Sequence, residues 1–310
     1  MNNKNLHLIT DRPGITIFLA GSINKDTFDT MVEKKYPKLC SFIEKRDIHK
    51  FFDKDHKIFV DSGAFTFWKI RRGLTKGNSW VKNLTEQEYV EKYIEWINDN
   101  EDNIIFAAQL DCIPENSTQQ EVERAADETW KNYTYMRSKL NNPDILLPVF
   151  HVGEDFKHLH TMIDFGCEYI AIGGLVGKSK KIKREFLDKL FTEIKTSSNP
   201  NVMTHAFGMT SKDLLVEYPF TSCDSTSWMM GANNGCISTD CGTFVVTPKK
   251  INDRKHIFNQ DLEVISQVED YVHARGFTLA ELGEDYKKRQ ILSMNDVQAW
   301  AESYEYIGQF

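Results

Sequence analysis

The sequence predicts an α/β protein built as a (β/α)8 barrel, and three observations lead to this prediction. Short apolar runs typical of strands alternate with helical patterns along most of the chain. Several of these runs end in a carboxylate, a histidine or paired glycines, as barrel strands do at the rim that carries the chemistry. The 310 residues accommodate one barrel of roughly 250 residues and an additional segment. A doubly wound sheet shares the alternation and is the alternative.

The first strand is predicted at 15–22, an apolar run that ends in Gly-Ser. Residues 26–52 have a polar-faced helical pattern, and the second strand is predicted at 57–61. This second run is rich in β-branched and aromatic residues and ends abruptly in Asp61 and a Ser-Gly turn. We therefore expect Asp61 at the carboxyl end of a buried strand.

The alternation continues through the middle of the chain. Thr85 and Glu88 form a capping-box signature in front of a helical pattern. The later strands are predicted, in order, at 104–111 ending in Asp111, at 145–151 ending in His151, at 169–175 with Gly173 and Gly174, at 202–208 with His205, at 220–224 ending in Asp224, and at 242–246. These runs complete eight β units with helical patterns between most of them.

After Pro248 the pattern changes, because amphipathic helices are predicted at 260–275 and 295–306 with no strand between them. We expect a single domain over residues 1–310, with the barrel in about 10–248 and a helical C-terminal tail in about 249–310. No internal repeat or low-complexity linker divides the chain.

The composition indicates a cytoplasmic protein without a membrane segment. No run approaches the ~18 apolar residues of a membrane helix, and the first residues lack the apolar region of a signal peptide. The six cysteines include no Cys-x-x-Cys pair, which favours reduced thiols over a disulfide framework.

The net charge of −7 argues against a nucleic-acid partner, but the charge is unevenly distributed. Residues 62–82 include no acidic side chain, and residues 178–184 include five cations. We expect these two segments to contact phosphates, whereas the alternative is solvated loop charge. The expected contacts are Lys69, Arg71, Arg72, Lys178, Lys180 and Lys181, with Lys76 and Lys82 in the same basic loop.

Taken one at a time, the polar strand-end residues have ordinary structural explanations. Asp61 and Asp111 suit turns, His151 and His205 suit a hydrogen-bonded core, and Gly173-Gly174 suits close packing. In a barrel, however, all of them and Asp224 share one face. Three carboxylates on one rim exceed what turn formation requires.

Several of these stretches resemble blocks of the tRNA-guanine transglycosylase family, whose members replace guanine with a 7-deazaguanine base. Residues 60–65, Val-Asp-Ser-Gly-Ala-Phe, are similar to the family's Asp-Ser-Gly-Gly-Phe block. Residues 171–177 resemble its Ile-Gly-Gly-Leu-x-Val-Gly block with one residue fewer. Asp111 and Cys112 resemble its Asp-x-Cys element, and Ser222 to Ser225 occupy the place of its nucleophile strand.

The resemblance implies a role for each matching residue. Asp224 is expected to capture C1′ of the sugar covalently, and Asp61 to transfer protons as guanine leaves and the new base enters. His151 stands where the family usually has glutamine, and Phe65, Phe67 or Phe207 are candidates for stacking on the base. The remaining expected substrate contacts are Ser62, Gly63, Asp111, Cys112, Gly173, Gly174, Leu175 and His205.

The departures from the family pattern indicate its divergent DNA-modifying branch, found in phages and bacterial modification islands. The tRNA enzymes carry a zinc site of three cysteines and a histidine, whereas Cys236, Cys241 and His256 have the wrong spacing here. We expect no cofactor, with a structural zinc as the alternative. Ser-Thr-Ser-Trp at 225–228 replaces an arginine-bearing Pro-Thr-Arg stretch, and we expect no RNA-binding extra domain. The expected partners are DNA, in preference to tRNA, and a 7-deazapurine base.

Three other functions stay open at this point. The chain resembles a tRNA enzyme that lost its zinc, or a non-catalytic nucleic-acid-binding partner subunit of the same family. The presence of both Asp61 and Asp224 argues against the partner subunit. An unrelated barrel hydrolase of small nucleosides is the third alternative, and for it the basic loops have no role.

Overall fold

Parallel strands around a common axis form the centre of the protein in the computed structural model, which describes residues 5–75 and 80–310, apart from the side chains of residues 46 and 47. These strands are β1 Thr16–Leu19, β2 Leu39–Ser41, β3 Ile58–Asp61, β4 Ile104–Ala108, β5 Leu146–Leu147, β6 Val149–His151, β7 Tyr169–Gly173, β8 Met203–Ala206 and β9 Ser222–Ser225.

The strands belong to two sheets that together close a barrel. One sheet has the order β1-β9-β8-β7-β6, and the other has the order β2-β3-β4-β5. Pro148 alone separates β5 from β6, so these two pieces occupy one strand position. A parallel bridge between Leu19 and Lys38 joins β1 to β2. Eight strand positions result, and the predicted (β/α)8 barrel is confirmed.

The helices follow the strands in the expected alternation. The predicted capping box at Thr85 is present, since Thr85 Oγ1 accepts from the Glu88 N–H at 3.2 Å and the Glu88 carboxylate accepts from the Thr85 N–H at 2.7 Å. The helices are α1 His7–Thr10, α2 Lys25–Glu33, α3 Lys45–Phe52, α4 Ala64–Arg71, α5 Glu86–Asp99, α6 Gln119–Lys139, α7 Phe156–Asp164, α8 Lys180–Thr196, α9 Lys212–Glu217, α10 Ser227–Asn233, α11 Leu262–His273, α12 Leu279–Glu284 and α13 Tyr286–Glu302. Within the described residues, none of them is both long and apolar enough to span a bilayer.

Two of the predicted elements were wrong. Residues 26–52 are not helical throughout, because they contain β2, a barrel strand of only three residues. Residues 242–246 do not form the eighth barrel strand. They contain β11 Gly242–Val245, which pairs antiparallel with β10 Cys236–Thr239 in a hairpin. A short apolar run is compatible both with a parallel barrel strand and with a strand of an antiparallel hairpin, so the pattern alone does not identify the pairing partner.

Aromatic rings fill the barrel interior below its carboxyl rim. Phe59 packs edge-to-face against Phe18 and Phe106, with ring centroids 5.3 and 5.9 Å away, and Phe106 packs in the same way against Tyr169 at 5.0 Å. Such pairs stabilise a core beyond the area they bury. Ile9 of α1 belongs to the same apolar cluster. The interior is therefore packed, and open space begins above this ring layer.

The C-terminal segment combines its own apolar cluster with one helix that joins the barrel. The hairpin, α11 and α12 pack around Val268 and Val272, which are fully buried. By contrast, α13 contributes Met294 to the main core, and its Gln298 Nε2 donates to the Ile17 carbonyl of β1 at 2.9 Å. The predicted boundary near residue 248 stays a prediction.

Candidate active site

A cavity of about 720 Å³ opens at the carboxyl ends of the barrel strands. Its size lies in the range of small-molecule sites and leaves room for a base together with its sugar. The predicted site residues that line it are Asp61, Gly63, Phe65, Asp111, His151, Gly173, Gly174 and Asp224, and Phe207 lines it as well. The structure thus brings the three strand-end carboxylates into one cavity.

Four other predicted site residues do not line this cavity. Ser62 is buried, and its carbonyl accepts from the Tyr89 hydroxyl at 2.5 Å. The Cys112 thiol donates to Glu86 at 3.1 Å, and burial raises the pKa of this thiol far above its ordinary value. Leu175 and His205 are fully buried. These residues support the residues that face the cavity.

Asp224 is held by contacts to one of its oxygens. Its Oδ1 accepts from the Gly208 N–H at 2.9 Å. His205 Nε2 lies 3.3 Å from the same oxygen without hydrogen-bond geometry, while His205 Nδ1 lies 2.6 Å from the Ser222 hydroxyl. The Tyr169 hydroxyl also bonds to Ser222. Among the described residues these contacts engage only Oδ1, so Oδ2 is the oxygen that can meet a ligand.

Asp61 is poised for proton transfer near neutral pH. Burial, together with the neighbouring charges of Asp111 and Asp224, raises its pKa to about 7, against the lowering effect of hydrogen bonds from Gly63 and Ser41. A carboxyl group with such a pKa is present in both protonation states at pH 7. It can therefore donate and accept a proton in successive steps.

His151 is clamped between two carboxylates. Its Nε2 lies 3.2 Å from Asp111 Oδ2, and its Nδ1 lies 2.9 Å from Glu154 Oε1. Burial lowers the pKa of His151, but the two carboxylates outweigh burial and raise the pKa well above its ordinary value. The ring is therefore an imidazolium whose two N–H groups both donate to carboxylates. Asp111 Oδ1 is buried without a hydrogen-bond partner in the described part of the chain, which leaves it to accept from a bound base.

The paired glycines make room for this clamp. A Cβ at Gly173 would lie 2.4 Å from His151 Cδ2, closer than real contacts allow. Gly174 has a positive φ of 76°, and a Cβ there would lie 3.3 Å from the Val152 nitrogen. The Gly-Gly pair is thus required both by the adjacent ring and by the backbone conformation.

The sequence prediction missed the cavity wall formed by β2 and the residues after it. Lys38 and Ser41 line the cavity there. Lys38 is only 2% exposed, and its ammonium donates to the carbonyls of Leu19 at 3.0 Å and Gly21 at 2.6 Å. Burial lowers the pKa of this lysine. The sequence indicates β2 only by a short run of residues after Pro37, and this run is too brief to show the two-residue period of a strand.

Most of the predicted phosphate contacts already have neighbours. Lys69 lies over the Phe65 ring at 4.1 Å, and Lys76 lies outside the described residues. The carboxylate partners of the others are Glu86 for Arg71 at 4.0 Å, Glu115 for Arg72 at 3.5 Å, Asp213 for Lys180 at 2.8 Å and Glu185 for Lys181 at 3.8 Å. Lys178 is exposed.

The zinc site implied by the family resemblance does not fit these residues. Cys236 begins β10, Cys241 is exposed in the hairpin turn, and His256 is buried with Nδ1 accepting from the Phe258 N–H at 3.3 Å. Across 5–75 and 80–310, no group of three or more histidine, cysteine or acidic side chains could hold a metal ion. No step of the chemistry is therefore assigned to a metal.

Comparison with known proteins places the chain in a family. The sequence matches the family described as queuine tRNA-ribosyltransferase over residues 23–298, which include every barrel strand after β1 and much of the C-terminal segment. No curated protein matches the chain. The match covers most of the 310 residues and includes each of the three strand-end carboxylates that line the cavity. The chain therefore belongs to the queuine tRNA-ribosyltransferase family, the tRNA-guanine transglycosylases.

Proposed function

We propose that the protein exchanges guanine in DNA for a 7-deazaguanine base through a covalent intermediate on Asp224. The family supports base exchange in nucleic acid in general. The observation that carries the proposal for this chain is the shared cavity of Asp61, Asp111 and Asp224, with Asp224 held through Oδ1 alone.

Exchange begins with Asp224. Oδ2 attacks C1′ from the face opposite the base, the bond from C1′ to N9 of guanine breaks, and its electron pair leaves with the base. Asp61 in its acid form donates a proton to the departing guanine. The products of this half are free guanine and a glycosyl ester on Asp224, with Asp61 left as a carboxylate.

The second half reverses these steps with the incoming base. Asp61 removes the proton from N9 of the 7-deazaguanine, N9 attacks C1′, and the ester bond to Asp224 breaks. Asp61 returns to its acid form and Asp224 to a carboxylate. Asp111 Oδ1 accepts from an N–H of either base, which holds both bases in the same orientation.

The preference for DNA over tRNA rests on the departures from the family's pattern. The arginine-bearing stretch after the nucleophile is replaced by residues 225–228, where Trp228 is buried and donates to the Ala20 carbonyl at 2.9 Å. The metal-ligand set of the tRNA enzymes has no counterpart among the described residues. A zinc-independent tRNA transglycosylase is the second candidate.

Mass spectrometry of nucleosides tests the proposal. The full chain and its Asp224→Asn variant are expressed in cells supplied with a 7-deazapurine base, and DNA and tRNA are digested separately. We expect 7-deazaguanine nucleosides in DNA from cells with the wild type only. The modified nucleoside in tRNA alone would establish the tRNA enzyme, and its absence from both pools would favour a non-catalytic partner subunit.

A further inference from the structure

A second cavity, of about 310 Å³, lies beside the first and shares part of its wall. Ala64, Asp111 and Ile113 line both cavities, so a ligand in one is adjacent to a ligand in the other. Three arginines line the second cavity: Arg71 and Arg72 at the end of α4, and Arg124 on α6. Guanidinium groups from two elements thus converge next to the proposed base site.

An aromatic ring holds one of these arginines in place. The guanidinium of Arg72 lies 4.9 Å from the centroid of the Trp68 ring. Trp68 packs nearly parallel to Phe65, at 5.9 Å and 10°, and Phe65 lines the first cavity. A guanidinium stacked on a ring keeps its N–H groups free in its own plane, where they match the oxygens of a phosphate. Trp68 therefore positions Arg72 for an anion.

The carboxylates in this cavity are weak competitors for the arginines. Glu86 is 4.0 Å from Arg71 and Glu115 is 3.5 Å from Arg72, and these two side chains are 46% and 68% exposed. Exposed pairs of this kind contribute little, whereas a bidentate arginine–phosphate contact is shorter and stronger. Arg124 donates three hydrogen bonds of 3.3, 3.1 and 3.0 Å to Glu121, which does not line the cavity, so at this arginine a phosphate must compete with a formed pair.

Two cations of the other basic segment are engaged firmly within the protein. Lys180 bonds to Asp213 at 2.8 Å, and Arg184 makes two hydrogen bonds of 2.8 and 2.7 Å to Glu217. A phosphate must break these contacts before it can bind there. Lys180 and Arg184 are therefore less available to a phosphate than Arg71 and Arg72, whereas Lys178 is exposed and Lys181 is 3.8 Å from Glu185.

We propose that the second cavity binds the backbone phosphate next to the target guanine, so that the DNA backbone passes over α4. Arg71, Arg72 and Arg124 contact the phosphate, and Trp68 acts through Arg72 as a positioning residue. This inference rests on the proposed function, because it takes DNA as the ligand. It adds a route for the backbone and a subsite in which Arg124 and Trp68 have roles.

Methylphosphonate oligonucleotides test the subsite, because each carries one uncharged linkage. The probes are short single-stranded DNAs with one guanine and a methylphosphonate on its 5′ or its 3′ side. All proteins carry Asp224→Asn, so that binding is measured without turnover. With the arginines intact, we expect one of the two probes to bind about tenfold more weakly than unmodified DNA. Arg72→Ala and Arg124→Ala should bind unmodified DNA more weakly and lose this discrimination.

Matched variants separate the subsite from general electrostatics. Lys181→Ala, on the other basic segment, should keep the full tenfold discrimination. Trp68→Phe retains a ring under Arg72 and should keep it as well, whereas Trp68→Leu should lose it. Equal discrimination in Arg72→Ala, Arg124→Ala and Lys181→Ala would overturn the proposed subsite. Loss of guanine exchange is measured separately on the wild type, so failure of the proposed function is distinguishable from failure of the subsite.

Discussion

His151 Nε2 lies 3.2 Å from Asp111 Oδ2, at the position where the family usually has glutamine. Because Glu154 engages the other ring nitrogen, the imidazolium has no N–H left for a base. In the proposed reaction, His151 therefore orients Asp111, and Asp111 Oδ1 is the atom that would meet the base. His151 would then fix a carboxylate without itself contacting the base.

The first prediction concerns this clamp. His151→Ala frees Asp111 to rotate, so we expect the KM for the incoming base to rise about tenfold or more, which corresponds to ~1.4 kcal/mol, with a smaller change in kcat. His151→Gln can still donate one hydrogen bond to Asp111 and should fall between Ala and the wild type. Steady-state exchange kinetics measure both parameters. A wild-type KM in His151→Ala would remove the positioning role.

The second prediction concerns Asp224. Asp224→Asn keeps the size of the side chain but loses the charge that captures C1′, so exchange of radiolabelled guanine should be abolished. Affinity for DNA should stay within about threefold, because the phosphates dominate binding. Denaturing gels should show a protein–DNA adduct with the wild type and none with the variant. Asp213→Asn, outside the cavity, is the matched control, and robust exchange by Asp224→Asn would contradict the assignment.

The third prediction separates Asp61 from Asp224. Asp61→Asn cannot transfer protons, so exchange should be severely impaired. The nucleophile remains intact, and we therefore expect part of the covalent adduct to be trapped on a denaturing gel. The same gel compares both variants with the wild type. Complete absence of adduct in Asp61→Asn, with unchanged DNA affinity, would indicate that departure of guanine requires the proton from Asp61.

The fourth prediction concerns stability and pH. Burial and two nearby carboxylates raise the pKa of Asp61 to about 7 in the folded protein, whereas an aspartate in an unfolded chain has a pKa of about 3.9. Between these values the folded state binds more protons, so this group makes the free energy of unfolding fall as pH rises. Asp61→Asn removes the effect. Its stability relative to the wild type should increase from pH 5 to pH 8 by a few kcal/mol at most, since one pKa unit corresponds to about 1.4 kcal/mol.

Urea unfolding at the two pH values measures this difference. Asp213→Asn again serves as a control, because Lys180 lowers the pKa of Asp213 and this carboxylate is therefore charged in both the folded and unfolded states at pH 5 and at pH 8. Its stability relative to the wild type should be the same at the two pH values. Parallel pH dependence of Asp61→Asn and the wild type would show that the folded protein does not raise the pKa of Asp61.

The fifth prediction tests the reason for the paired glycines. Gly173→Ala places a methyl group 2.4 Å from the His151 ring, so the ring must move away from Asp111. We expect the same rise in KM as in His151→Ala, and combining the two substitutions should add little. Gly231→Ala is the control, because a Cβ there meets no atom within 4 Å. A wild-type KM in Gly173→Ala would show that the clamp tolerates displacement.

The barrel and its rim residues were predictable because they depend on local pattern. Each long strand is a buried apolar run, and parallel strands around a barrel bring their last residues to one end. Asp61, Asp111, His151 and Asp224 therefore share a cavity as expected. None of this required knowledge of the pairing between strands.

The burial of individual side chains and the pairing between strands could not be predicted from the sequence. Leu39–Ser41 is too short to show the two-residue period of a strand, and Lys38 can be buried because the carbonyls of Leu19 and Gly21 accept from its ammonium. His205 pairs with Ser222, two residues before Asp224, and so it lies one layer below the cavity floor. The stagger between β8 and β9 places it there, and no local pattern encodes that stagger.

The two carboxylates assigned to catalysis belong to different sheets. Asp61 ends β3 in the four-stranded sheet, and Asp224 lies in β9 of the five-stranded sheet. The two sheets meet at two places, the break at Pro148 and the bridge between Leu19 and Lys38. The distance between the Asp61 and Asp224 carboxylates therefore depends on how the two sheets join at these two places. Lys38 and Pro148, which stand at these two junctions, therefore influence the separation of the two carboxylates.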